Sequence, residues 1–391
     1  MVEESIQGLV AEEKQRQLDT VNLVASENYP SESVLRLLGS GLTSKYAEGY
    51  PGARYYNGNQ VIDKIEELGR KRALELFELD ARQWAVNMQP LSGAPANLAV
   101  YLAVLGVKND SSIMAMSLGD GGHLSHGFIA SLTGKLWRQV PFGLNLDTEQ
   151  LDFEEIASIA QKTRPDIIVA GFTAYPRQVD FRRFKEIADM CGAHLHADIA
   201  HIGGLIAGGQ HPSPFAYADT VMATTHKTLR GPRSAIVWSR RDERDLPRSI
   251  DRAVFPGIQG GPHFNQIAAA VQALEEASSK EFQTYAEQVV KNATVLAEEL
   301  SGLGWRVVSG GTDTHLLLVD TQESGISGKT ASDELEKQGI IVNKNTLPRD
   351  SRSPSDPSGI RLGTAAETTR GKRESDMRSI AKRIDKALKS L

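Results

Sequence analysis

Between residues 84 and 238 the chain repeats one pattern. A short apolar run is followed by a stretch with apolar residues at helical spacing, and then by another run. The runs fall at 84–88, 113–116, 136–140, 167–172, 194–197, 221–224 and 235–238, and helical spacing is clearest at 95–105, 147–160 and 182–190. Short runs without polar alternation are strands buried on both faces. Strands alternating with helices in this way predict a mostly parallel sheet of about seven strands, covered by helices on both sides.

The flanks read differently. The first 20 residues are polar and helix-like, and residues 39–59 are rich in Gly, Tyr and Asn. That second segment has too few apolar repeats to build its own core, so it is expected to lie against another surface. Helical spacing resumes with Val61, Ile65, Leu68, Ala73, Leu76 and Phe77. Downstream comes a helical stretch over 264–303, then strand candidates at 305–308, 315–319, 340–342 and 360–362. A Pro/Ser-rich loop is expected over 345–358, and a closing helix over 369–388 with Met377, Ile380, Ile384 and Leu388 on one face. This predicts a smaller α+β domain. The expected division is an arm over 1–55, a large α/β domain over 56–274 and a small domain over 275–391. The Lys and Arg residues of the closing helix read as a solvated face.

Composition narrows the class. With 391 residues, 40% hydrophobic and 24% charged, the chain has material for two or three packed domains. The net charge, 44 − 49 = −5, argues against nucleic acid as the main partner. One cysteine, Cys191, allows no intrachain disulfide and no Cys-rich zinc site. No apolar run approaches the roughly 20 residues of a membrane helix, and the acidic start MVEESIQ has no signal-peptide core. A cytoplasmic enzyme is expected.

Four segments carry candidate chemistry, and each directly follows a predicted strand. Lys227, in ATTHKTLRGPR, stands where open parallel sheets bind ligands and is placed to form a Schiff base with a carbonyl cofactor. Asp198, in HLHADIAH, can pair with a protonated ring nitrogen; with His201 it also makes an Asp-x-x-His pattern of metal-ligand type, although no third ligand stands near in sequence. QPLSGAPAN, 89–97, is a small-residue turn opening a helix. It can hold a phosphate on orphan backbone N–H groups, or be a tight turn with Ser92 as N-cap. In DGGHLSHG, His123 or His126 can stack on a flat ring, bind a metal, or be an ordinary loop residue. Lysine, carboxylate, phosphate turn and histidine at one sheet edge form the set that pyridoxal phosphate requires. A nicotinamide fingerprint in register and a P-loop are both missing.

The sequence also resembles the serine hydroxymethyltransferase family, from about Leu23 to the last helix. The motifs are LVASENY (23–29), KYAEGYPGARYYNG (45–58), DGGHLSHG (120–127), ADIAHIGGLIAGG (197–209), THKTLRGPR (225–233), FPGIQGGPH (255–263), VSGGTDTHLLLVD (308–320), VNKNTLP (342–348) and SGIRLGT (358–364). The resemblance implies a fold-type I pyridoxal-phosphate enzyme that interconverts serine plus tetrahydrofolate with glycine plus 5,10-methylenetetrahydrofolate. It implies Lys227 as the Schiff-base lysine, Asp198 as ring-nitrogen partner, His123 stacked on the ring, and His201 near cofactor and substrate. Ser92, Gly93 and Ala94 match the phosphate turn, joined by His226. Thr173 matches the contact to the phenolic oxygen, and Arg233 a site arginine beside the lysine. Ser26 and Arg361 match the substrate-carboxylate contacts, and Leu118, Gly122 and Asn345 the folate contacts. Tyr46, Glu48, Tyr56, Gly260 and Gly261 match residues that complete a neighbouring subunit's site. Glu48 is implied in proton transfer and Tyr56 in exchange of lysine for substrate amine. A homodimer with shared sites is expected, alone or paired into a tetramer.

Three positions depart from the family pattern. Ala94 and Thr173 stand where serine is common, and Ala365 replaces a proline after Arg361. No catalytic residue is lost. Two other readings of the residues are a folate-independent aldolase of β-hydroxy amino acids such as threonine and a cofactor-binding regulator. VNKNTLP and Glu48 favour the folate enzyme over the first; retention of Lys227, Asp198, Glu48 and Arg361 weighs against the second.

Overall fold

The computed structural model describes residues 5–107, 110–243 and 245–391. Its central sheet has seven strands: β1 Trp84–Asn87, β2 Ser112–Met116, β3 Arg138–Phe142, β4 Ile167–Gly171, β5 His194–Asp198, β6 Thr220–Thr224 and β7 Ala235–Arg240. Their order is β1-β7-β6-β5-β4-β2-β3. Only β7 runs antiparallel to its neighbours; the other pairings are parallel. Every residue of β2, β4, β5 and β6 is buried. Alternate residues feed two separate apolar clusters: Met114, Ile168, Leu195 and Val221 on one face, Ile113, Ile167, Val169 and Met222 on the other. Each fully buried aliphatic side chain of this kind contributes about 1.5–3 kcal/mol, so the runs read as continuous because both faces are dry.

β3 begins two residues later than expected. Leu136 belongs instead to the short helix Leu132–Leu136, capped by Ser131 Oγ, which accepts from the Gly134 N–H.

The helices that matter here are α1 Ile6–Asp19, α2 Gln60–Glu75, α3 Gly93–Leu105, α4 Phe264–Ala277, α5 Lys280–Gly302 and α6 Glu374–Leu388. The stretch expected as one helix over 264–303 is two. α4 ends at Ala277, and Ser279 caps α5 by accepting from the Phe282 N–H. α5 then spans two cores. Phe282, Ala286 and Val289 pack in the large one, and Leu296, Ala297 and Leu300 in a second.

That second core is built on an antiparallel sheet of β8 Arg306–Val307, β9 Leu316–Asp320, β10 Asn343–Asn345 and β11 Gly359–Gly363, ordered β8-β9-β11-β10. α6 covers it with Met377, Ile380, Ile384 and Leu388. α6 starts later than expected because Ala365–Thr369 forms its own short helix. The strand expected at 340–342 does not join this sheet. Ile340–Ile341 pairs parallel with Val21–Asn22, and Leu23 enters the second core. The first residues after it make β10, whose last residue, Asn345, opens the expected loop.

α1 buries none of its residues, and Ile6, Leu9, Val10 and Leu18 are exposed. The Gly/Tyr segment forms a small hairpin, Gly49–Tyr50 with Ala53–Arg54. On α6 Arg378 pairs with Glu299, and Lys389 just past its end pairs with Asp385, as a solvated charged face does. Among the described residues, no helix is long and apolar enough to cross a membrane.

Candidate active site

Gly171, Asp198 and Thr224 close the parallel strands β4, β5 and β6 at one edge of the sheet. A cavity of about 320 Å³ opens there, within the range of small-molecule sites. Ser26, Ser92, Gly93, Ala94, His123, Thr173, Asp198, His201, His226, Lys227, Arg233 and Arg361 all line it. These twelve come from nine separate stretches of chain, so their convergence is a property of the fold.

Asp198 is buried at its floor. Its Oδ2 accepts from Asn97 Nδ2 (2.8 Å) and His126 Nε2 (2.9 Å), and its Oδ1 from the Ala200 N–H (3.0 Å). Burial opposes ionisation, but the hydrogen bonds from His126 and Asn97 work against it. They hold the carboxyl well below the usual carboxylate range. A group that can only accept is therefore aimed at the cavity.

Lys227 follows β6 by three residues. Burial lowers its amine to about 8, against the pull of Asp198, with Arg361 and Arg233 pushing the same way as burial. A lysine near that value has a substantial neutral, nucleophilic fraction at physiological pH.

Ser92 precedes α3, and Gly93 and Ala94 are its first two residues, with no side-chain cap on this helix start. The third, Pro95, has no N–H, so Gly93 and Ala94 supply the orphan backbone donors of the first turn. A Cβ at residue 93 would lie 2.9 Å from Thr224 Cγ2, so the turn approaches β6 this closely only as glycine. Donors and helix dipole together suit an anion.

Arg361, in β11, is 7% exposed. It donates from Nε to Asn343 Oδ1 (3.0 Å) and from Nη1 to the Thr173 carbonyl (2.7 Å). Among the described residues no carboxylate pairs with it, and burial lowers it to about 10. A buried guanidinium without a counter-ion is a costly arrangement unless an anion comes to it.

The histidines are kept neutral. Burial takes His123 to about 4 and His226 to about 3, and holds His201 well below its ordinary value, with neighbouring cations, Lys227 among them, adding to each. His201 stacks on buried His315, with 3.3 Å between Nδ1 and Nε2.

The remaining expected residues lie outside this cavity. Glu48, Tyr46, Tyr56, Gly260 and Gly261 form a second cluster. Tyr46 and Tyr56 meet edge to face at 5.5 Å, and a Cβ at Gly261 would contact Tyr46 while one at Gly260 would contact Glu48. The cluster is open, with Tyr46 61% and Tyr56 41% exposed. Leu118, Gly122 and Asn345 also stay outside the cavity lining. The turn holding the first two meets the loop after Asn345 through Asp120, whose Oδ1 accepts from the Arg349 N–H (2.8 Å). Described His, Cys, Asp and Glu residues make no cluster fit to hold a metal, which leaves the Asp-x-x-His pattern as a carboxylate and an imidazole of one cavity.

The model of the serine hydroxymethyltransferase family matches residues 1–384. The chain belongs to that family. It is 50% identical to the serine hydroxymethyltransferase of Acidothermus cellulolyticus over 381 residues, covering 97% of this chain and 87% of the relative. It is 47% identical to that of Sorangium cellulosum over 390 residues, covering the whole chain and 90% of the relative. Serine hydroxymethyltransferases are fold-type I pyridoxal-phosphate enzymes, and the seven-stranded, mostly parallel sheet is the fold expected of one. The donor set fits the cofactor: a lysine amine, an accept-only carboxylate, orphan N–H donors at a helix start and an unpaired buried arginine share one cavity.

Sequence reasoning did not single out Asn97, Ser125 or His196, and left His126 as one of several possibilities. Asn97 looks like an ordinary residue of α3, and His196 is one letter of a buried strand. Only spacing across the fold, not along the chain, reveals their contacts.

Proposed function

We infer that this protein is a serine hydroxymethyltransferase, which moves the hydroxymethyl carbon of serine reversibly to tetrahydrofolate and yields glycine and 5,10-methylenetetrahydrofolate. The observation that carries the reading is the cavity in which Lys227, ionised Asp198, the α3 start and unpaired Arg361 converge. Pyridoxal phosphate, when bound, supplies an electron sink for the charge left on the substrate Cα.

The residues divide the remaining work. Lys227 offers a partly neutral amine for covalent attachment of the cofactor. Asp198 accepts from the ring N–H and holds that proton in place. Gly93, Ala94 and Ser92 take the phosphate, joined by His226. His123 stacks on the ring, Thr173 and His201 address its polar edge, and Arg233 adds positive charge beside the lysine. Arg361, helped by Ser26, would hold the substrate carboxylate with paired charge-assisted hydrogen bonds and so orient the substituents on its Cα. Leu118, Gly122 and Asn345 receive tetrahydrofolate.

Glu48 and Tyr56 act in a neighbouring subunit's cavity, with Tyr46, Gly260 and Gly261 beside them. In this reading Glu48 moves the proton of the one-carbon step and Tyr56 assists amine exchange. A homodimer with shared sites follows, supported by an open polar and aromatic cluster that stands apart from its own chain's cavity. The reading keeps an arm over 1–55, a cofactor domain over 56–274 and a small domain over 275–391, the last two sharing α5. It places the enzyme in the cytoplasm with its water-soluble substrates.

The test is serine cleavage by purified enzyme with and without tetrahydrofolate. Strong acceleration, with a red-shifted absorption band when glycine and tetrahydrofolate are added together, is the expected result. Serine cleavage indifferent to folate contradicts the reading and favours an aldolase.

A further inference from the structure

One amide reaches both groups that address the cofactor ring. Asn97 Nδ2 donates to Asp198 Oδ2 (2.8 Å) and to Ser125 Oγ (2.9 Å), which uses both of its hydrogens. Its Oδ1 faces His196 Nε2 at 2.9 Å. His196 Nδ1 faces Thr220 Oγ1 (2.8 Å), and that hydroxyl faces His194 Nε2 (2.9 Å). Asn97, His196 and Thr220 have no exposed surface.

The directions of these bonds follow from one end. Asp198 is a carboxylate and can only accept, so Asn97 must turn its NH₂ toward it. The amide oxygen then faces His196, whose Nε2 must carry the proton. His196 Nδ1 is left as an acceptor, so Thr220 donates to it and accepts from His194. On the other branch, Ser125 Oγ accepts from Asn97 and sends its own hydrogen to His123 Nδ1 (2.7 Å). The Ser125 N–H also points at that nitrogen (3.2 Å). The stacking imidazole is thereby fixed with its proton on Nε2.

We propose that Asn97, locked in orientation by His196 and Thr220, is the positioning residue that sets both the carboxylate holding the cofactor ring nitrogen and the tautomer of the histidine stacked on the ring. Without the lock the amide oxygen becomes a buried acceptor with no donor, a costly state that the amide can relieve only by moving. Its two N–H bonds, to Asp198 and Ser125, would then weaken together. Burial keeps His196 neutral, at about 3, so the lock does not titrate in the working range of the enzyme. Buried chains of this kind stiffen a site when every member is satisfied and are costly when one is not.

The inference rests on Asp198 being the ring-nitrogen partner, so the test separates the two claims. The wild-type holoenzyme and three variants are reconstituted with pyridoxal phosphate labelled with nitrogen-15 in the ring, and the nitrogen resonance reports ring protonation directly. His196→Leu is expected to shift it toward the neutral-pyridine position. kcat should fall on the order of ten- to a hundred-fold, the scale seen when an outer partner of a site ligand is removed, with KM for serine nearly unchanged. His196→Gln keeps an N–H donor toward Asn97 and is expected to restore most of both. Asp198→Asn is the control and should give the largest shift. A resonance unmoved in His196→Leu but moved in Asp198→Asn overturns the lock alone. A resonance unmoved in Asp198→Asn overturns the assignment of Asp198 and the lock with it. Equal impairment of His196→Leu and His196→Gln also overturns the lock. If His196→Leu fails to fold, the near-isosteric Thr220→Val takes its place; a smaller shift in the same direction is expected, and none overturns the proposal.

Discussion

The Lys227 cavity and the Glu48 cluster are opposites in construction. The cavity is assembled from strand ends and a helix start and lies deep, with Asp198 and Arg361 each held in place by hydrogen bonds. The Glu48 cluster sits on a two-residue hairpin, with both tyrosines exposed. Its support comes from beneath. Arg54 donates to the carbonyls of Ala47 and Gly49 on either side of Glu48, and pairs with fully buried Glu66 at 2.7 Å. The backbone around half-buried Glu48 is therefore held. A rigid mount for a half-buried carboxylate beside exposed tyrosines is the arrangement expected of a group that works against another surface. In the proposed dimer the one-carbon step belongs to two chains.

The sharpest way to break this contrast is Lys227→Ala. Serine turnover should vanish while cofactor still binds noncovalently, visible as a change in the absorption spectrum with no reducible adduct. Near-normal turnover would remove the cavity from the chemistry. Arg361→Ala comes next, with a loss of about 2–5 kcal/mol in transition-state binding, the scale for truncating one partner of a buried charge pair. It is read as kcat/KM for serine, and unchanged efficiency would take the carboxylate away from β11.

Mixing subunits tests the division itself. Lys227→Ala and Glu48→Gln homodimers should each be nearly inactive in the folate-dependent reaction. Equal amounts, unfolded and refolded together, should recover about a quarter of wild-type activity. Half of the dimers are then hybrids with one intact site of two. No recovery would mean that Glu48 serves its own chain's cavity.

The smallest effect is a pH dependence. Burial lowers Lys227 to about 8 in the folded protein, from 10.5 in the unfolded chain. Between those values the unfolded state binds more protons, so stability of the cofactor-free protein rises with pH across that window. Lys227→Met should remove that part of the rise, seen as a flatter dependence of the urea midpoint on pH than in wild type. Identical slopes would mean that the lysine is not desolvated.

Much of the cavity was legible in the sequence because its residues sit where strands stop. Burial on both faces writes a strand as an apolar run, so the first polar residues after each run mark the binding edge; Asp198 follows its run directly and Lys227 stands three residues past the end of β6. The α4–α5 break was not legible, since apolar faces continue on both sides of Ser278 and only the Ser279 cap interrupts the helix. β10 was missed because Asn343, Lys344 and Asn345 are polar residues of a half-buried edge strand. The Asn97–His196 contact joins positions 99 residues apart through the sheet, and neither has a local pattern that foretells it.

The central claim is that one amine carries the cofactor. Reduction of the holoenzyme with borohydride, followed by protease digestion and peptide mass mapping, tests it most directly. The account predicts a single pyridoxyl-phosphate adduct on Lys227, in the peptide containing THKTLRGPR. An adduct on another lysine, or none, would contradict it.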